Sequence, residues 1–171
     1  MKQLVIALLV CLGLTVAPAW AETPKIAYID LQKALNLSEA GKEAKEKIKE
    51  QVQTYDKEVK ERQDELKKLK EDLEKQVMLL SEEARNVKER DYQQKVKDYQ
   101  RFTKDIQESL QQMDTDYTRK ILEDLLEVAQ NIGKSEGYTM ILEKTESSIV
   151  YADESIDMTD EVIKVFNQQG K

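Results

Sequence analysis

From Lys42 to Ile132 the chain contains neither proline nor glycine, and no other feature limits its fold as sharply. A β-sandwich or a doubly wound sheet needs turn residues roughly every 8 to 12 positions, and this stretch has no such residues to offer. Apolar side chains recur in it at alternating steps of four and three: Ile48, Val52, Tyr55, Val59, Arg62, Leu66, Leu69, Leu73, Gln76 and Leu80, of which eight are apolar. That is the seam of a coiled coil. A second seam runs through Tyr92, Val96, Tyr99, Thr103, Ile106, Leu110, Met113 and Tyr117. Between the two, Ser81 can cap a new helix whose first turn carries Glu82 and Glu83, where the helix dipole favours anions. The pattern predicts an antiparallel α-helical coiled-coil hairpin with its tip near 80–83 and a reach of about 58 Å at 1.5 Å per residue.

Past Met113 the second seam takes three successive steps of four, to Tyr117, Ile121 and Leu125, before Val128 and Ile132. Such a stutter relaxes left-handed supercoiling, so a straighter or bent stretch is expected around Tyr117 to Leu125, where an arm could flex. A hairpin this long buries one narrow stripe per helix, and its open end needs an anchor.

The chain ends supply the anchor. Lys25 to Asp30 reads as a buried strand followed by a helix-capping Asp30. Gly133 and Gly137 are expected to stop the long helix, and Tyr138 to Glu143 and Ile149 to Ala152 read as two further strands. A closing helix follows, with Thr159 as cap and Met158 and Ile163 placed as a hydrophobic staple. Three strands and a short helix make a small core with open edges. Pairing between protomers would close those edges, so an oligomeric β body is expected.

The first 21 residues differ from the rest: Lys2, an apolar run from Leu4 to Val16, then Ala19-Trp20-Ala21. This is the pattern of a secretory signal peptide cleaved after Ala21. The remaining 150 residues hold 26 basic and 34 acidic side chains, a net charge of −8, and no Cys, Trp or His. Histidine-based acid–base chemistry, Ser-His and Cys-His dyads and His-ligated zinc are thereby excluded, and no disulfide can brace the fold. No phosphate-binding glycine loop is visible, so no cofactor and no enzymatic activity are expected. An acidic exported chain also argues against nucleic acid as a partner.

Lys25-Ile26-Ala27-Tyr28-Ile29-Asp30-Leu31-Gln32-Lys33, then Gly41-Lys42 opening a charged hairpin, then Gly137-Tyr138-Thr139-Met140-Ile141-Leu142 and Asp157-Met158-Thr159-Asp160-Glu161-Val162 resemble the Skp (OmpH-like) family over the whole mature chain. The resemblance implies a periplasmic chaperone that works without ATP. It implies a trimer with a β-barrel body and three helical arms enclosing unfolded outer-membrane proteins. Well-known members are basic whereas this chain is acidic. Its charge is uneven, however: residues 67–104 carry a net +3 and residues 133–171 a net −4, so weak contact of the distal arm with an anionic lipid surface is one expectation.

The organisation expected is a signal peptide at 1–21, a body from 22–36 and 138–171, and an arm from 37–137. The oligomer body is assigned Ile26, Tyr28, Ile29, Tyr138, Met140, Ile141, Leu142, Ile149, Val150, Tyr151, Val162 and Phe166. On the arm, Tyr92, Tyr99 and Tyr117 fall on the seam, which leaves Phe102 as the aromatic expected to face a client. Acidic pairs such as Glu82-Glu83 and Asp153-Glu154 lack calcium-loop spacing and read as solvated surface. Two functions fit: a holdase that encloses unfolded outer-membrane proteins, and a structural or adaptor hairpin docking end-on to another envelope component. Adaptors carry further β domains on both sides of the hairpin, and only short strands flank this one.

Overall fold

The computed structural model describes residues 23–76 and 78–170; the signal-peptide expectation for 1–21 lies outside them. The chain runs β1 (Ile26–Ile29), α1 (Leu31–Leu37), α2 (Glu39–Gln76), α3 (Glu82–Ser135), β2 (Met140–Glu143), a single 3-10 turn (Glu154–Ile156) and α4 (Thr159–Gln168). Among the described residues it is mostly helical, with one two-stranded sheet.

Asp30 ends β1 and starts α1, its carboxylate accepting the Lys33 N–H at 2.8 Å. That hydrogen bond is the first cause holding its carboxyl below the ordinary value, and Lys144 adds to it. Ser38, fully buried, closes α1 through its N–H to the Ala34 carbonyl and opens α2 by accepting the Gly41 N–H at 3.1 Å. The long helix therefore starts at Glu39 and passes through Gly41. A Cβ on Gly41 would lie 1.8 Å from the Leu35 carbonyl oxygen, so the glycine is there to let α1 and α2 approach.

Helices α2 and α3 pack antiparallel. Side-chain pairs mark the register along their length: Tyr55 with Ser109, Gln63 with Tyr99, Glu65 with Lys95 and Gln76 with Lys88. Ser81 caps α3 by accepting the Ala84 N–H at 3.3 Å. Gly133 does not stop this helix, contrary to the sequence expectation; it is a buried interior residue whose added Cβ would meet the Ile141 side chain at 2.8 Å. The stop comes at Gly137, at φ +71°, where the Tyr138 N–H turns back to the Gly133 carbonyl at 2.9 Å.

Strand β2 pairs in parallel with β1 in the register Ile26↔Met140 to Ile29↔Glu143. The third strand expected at Ile149–Ala152 does not form in the single chain. Residues 144–148 turn, with Ser148 at φ +50°, and 149–153 run on without regular structure. The far edge of β1 is instead met by an isolated bridge from Tyr28 to Asp157, with the Met158 N–H donating to the Tyr28 carbonyl at 3.0 Å. The cap of α4 also differs. Thr159 is the first helical residue, the Asp157 carboxylate accepts its N–H at 2.8 Å, and the buried Thr159 hydroxyl accepts the Asp30 N–H at 2.9 Å.

The core gathers Ile29 of β1, Ala34 of α1, Met158, and Val162 and Phe166 of α4 around Ile121, Leu125, Val128, Ala129 and Ile132 of α3. The last three turns of α3 thus belong to this core. They fall within 37–137, the span the sequence reading gives entirely to the arm.

Candidate functional site

Between 45 and 120 no described residue is buried. Along α2 every seam residue from Ile48 to Gln76 is half-buried except the exposed Arg62, and all eight positions from Tyr92 to Tyr117 on α3 are half-buried too. Two helices alone can cover only one stripe of each other, which leaves the other faces of both helices to solvent. The wet hydroxyl and amide pairs across the seam replace part of the apolar packing, and the Lys95–Glu65 bridge at 3.0 Å adds an exposed ion pair.

Phe102 is half-buried, and the Arg62 guanidinium lies 3.8 Å above its ring centroid. This cation–π contact explains a polar residue in the seam of α2. It also covers the aromatic that the sequence reading directs toward a client. What the arm exposes instead is its tip: Met78 is 92% and Leu79 84% exposed, and Val87 on the first turns of α3 is exposed beside them. The Leu79 and Leu80 N–H groups both return to the Gln76 carbonyl. Heptad spacing identifies seam positions only and does not single these residues out. Four consecutive apolar residues before a capping Ser81, Val77 to Leu80, are the available signal.

The twelve body residues divide. Tyr28, Ile29, Val162 and Phe166 are buried inside the single chain. Tyr138, Ile141, Leu142 and Ile149 are half-buried. Ile26, Met140, Val150 and Tyr151 are exposed, Val150 completely, and Ile156 joins them. Ile26 and Met140 are register partners, so the sheet presents apolar side chains at the end where it begins. Beside it, Lys25 pairs with Glu136 at 3.1 Å and sits 3.8 Å from the Tyr138 ring centroid. The hydrogen bond from Lys25 holds the Glu136 carboxyl down, whereas burial and then Glu136 push that of Glu161 up.

At the root of the hairpin a cleft of about 320 Å³ opens between α1, α2 and α3. Ala44 and Ile121, the last buried residues before the arm, form part of its lining together with Tyr117. Among the described residues no group of three or more Asp, Glu, Cys or His is placed to hold a metal, and no helix is long and apolar enough to cross a membrane.

No curated protein matches the sequence. The fold is shared with a crystal structure of a candidate outer membrane chaperone (OmpH-like) from Caulobacter crescentus CB15. That match has a TM-score of 0.80, 17% identity, and covers 92% of this chain and 90% of the other. The outer membrane protein (OmpH-like) family profile matches residues 25–166, from the residue before β1 to the buried Phe166 of α4. Since that match takes in the sheet, the hairpin and the closing helix together, the chain belongs to the OmpH-like family.

Proposed function

We propose that the chain is an ATP-independent periplasmic holdase that encloses unfolded outer-membrane proteins between coiled-coil arms carried on an oligomeric, trimeric body. The observation that carries this reading is the contrast within one molecule. A hairpin about 57 Å long, with no described residue buried from 45 to 120, stands on a small body that leaves Ile26, Met140, Val150 and Tyr151 exposed. Protomers joining through those body residues and the unpaired edge of β2 would cover apolar surface and close the sheet. The arms would then surround a space whose walls offer many weak contacts, and no nucleotide would be needed to release what they hold. Membership of the OmpH-like family supports a chaperone role.

An end-on structural adaptor is the second reading, favoured by the exposed Met78 and Leu79 at the tip. One excision separates the two. Removing Leu66 to Leu79 and Asn86 to Tyr99 keeps Leu80 to Arg85 as the turn, takes two heptads from each seam and shortens each helix by about 21 Å. A holdase should keep its oligomeric state in light scattering and lose suppression of aggregation of a denatured outer-membrane barrel protein. Full protection by the shortened protein would overturn the enclosing-arm reading.

A further inference from the structure

Four methionines follow residue 21, at positions 78, 113, 140 and 158, and that part of the sequence has no Cys, Trp or His. Toward a two-electron oxidant such as a peroxide, the thioethers are therefore its most readily oxidised side chains. The fold grades them by access. Met158 is 3% exposed in the core, Met113 is half-buried on the α3 seam, Met140 is 51% exposed where β2 begins, and Met78 is 92% exposed at the tip. Around Met78 the Leu79 and Leu80 N–H groups both return to the Gln76 carbonyl, so backbone hydrogen bonds shape the turn and the Met78 side chain packs against almost nothing. It also lies beyond the far end of the 38-residue α2. Protomers joining through the body would leave it open, so its accessibility does not depend on the chaperone reading.

We propose that Met78 is a reversible oxidation site, and that its sulfoxide turns the arm tip from an apolar surface into a polar one. A lone pair on Sδ attacks one oxygen of hydrogen peroxide, and the S–O bond forms as the O–O bond breaks. The sulfur is oxidised by two electrons; the departing hydroxide takes the proton of the transferred oxygen and leaves as water. Methionine sulfoxide reductases, drawing two electrons and two protons from a thiol pair, return the thioether and release water. The position decides the consequence. On Met158 the new S–O dipole would enter the core that holds Val162 and Phe166 and would have to be desolvated there. On Met78 it meets water, and the fold beneath is untouched while the exposed apolar pair Met78 and Leu79 loses one member.

Peptide mapping by mass spectrometry, after brief treatment of the purified protein with dilute hydrogen peroxide, ranks the four thioethers. Met78 is expected first, at least about tenfold faster than Met158, with Met113 and Met140 between. Hydrophobic-interaction chromatography reads the surface. Protein oxidised at Met78 should elute earlier from a phenyl matrix than untreated protein, with the same size in light scattering. The two sulfoxide reductases, one for each sulfoxide epimer, should restore its retention in the presence of dithiothreitol. Met78→Leu keeps an apolar side chain without the sulfur, and its retention should not move under the same treatment. Oxidation of Met113, Met140 or Met158 as fast as Met78 would overturn the proposal. So would unchanged retention after Met78 oxidation, an equal shift in Met78→Leu, or a shift that the reductases fail to reverse.

Discussion

The α3 helix passes through two environments, and the difference between them is the main lesson of the molecule. From Tyr92 to Met113 its seam faces α2, and each seam residue is half-buried. From Ile121 to Ile132 the same helix meets α1, α4 and β2, and Ile121, Leu125, Val128, Ala129 and Ile132 are all buried. Apolar residues become denser across the boundary, from 8 of the 26 at 92–117 to 7 of the 12 at 121–132. The number of elements available to cover the helix also changes, and apolar burial follows both. Stability should therefore be concentrated in the body, and the arm should be held mainly by a shallow stripe and by its continuity with the body.

The comparison can be broken most directly in the core. Phe166→Ala, at a residue 1% exposed, is expected to cost about 3 to 5 kcal/mol in urea unfolding, and Leu125→Ala about 2 to 5 kcal/mol. Losses of that size from a seam residue such as Leu69 would mean that the arm organises the fold. Gly41→Ala comes next. Its Cβ would meet a backbone carbonyl rather than a flexible side chain, so α1 must move off α2, at a cost of about 1 to 3 kcal/mol on thermal melting.

Asp30→Ala removes the α1 cap and the Lys144 bridge at 3.3 Å, for about 1 kcal/mol near neutral pH. The folded pKa of Asp30 is depressed. Its contribution is therefore fully present above the ordinary value of 3.8 and disappears as pH falls through the lower folded value. The gap between wild type and variant should close in acid; a gap that persists there would show that the charge on Asp30 is not what stabilises the cap. The smallest effect is expected at the tip, where Glu83→Ala should stay within about 0.5 kcal/mol. Hydrogen exchange sharpens the contrast without mutation: amides at 92–117 should exchange faster than those at 121–132 in the same helix.

The elements written in periodicity were legible from the sequence, and those set by tertiary contact were not. Both seams, the capping roles of Ser81 and Asp30, and the turn at Gly137 follow from local spacing and chemistry. The stutter was visible at Tyr117 to Leu125, but as a change in supercoil. In the structure it coincides with the place where α3 exchanges one partner for several, which no single-helix pattern states. Gly133 misled because glycine serves equally as a helix stop and as a point of close approach, and only Ile141 across the contact decides which. Ile149 to Ala152 has strand composition but pairs with neither β1 nor β2 in the single chain. Phe102 stands out in the sequence as the arm aromatic off the seam, and its contact with Arg62, forty positions away, is not written in either seam.

The parallel register Ile26↔Met140 also has a consequence for the order of folding. Its two strands are separated by the whole hairpin, so β1 leaves the ribosome long before its partner exists. Closing a flexible loop of that length would carry an entropic cost that grows with the logarithm of its length, and non-local pairings of this kind slow folding. Zipping of α2 onto α3 from the tip removes much of that cost by bringing the distant ends together before the sheet forms. The arm is then the molecule's own assembly jig: the element that contributes least to the final core delivers the two halves of the core to each other.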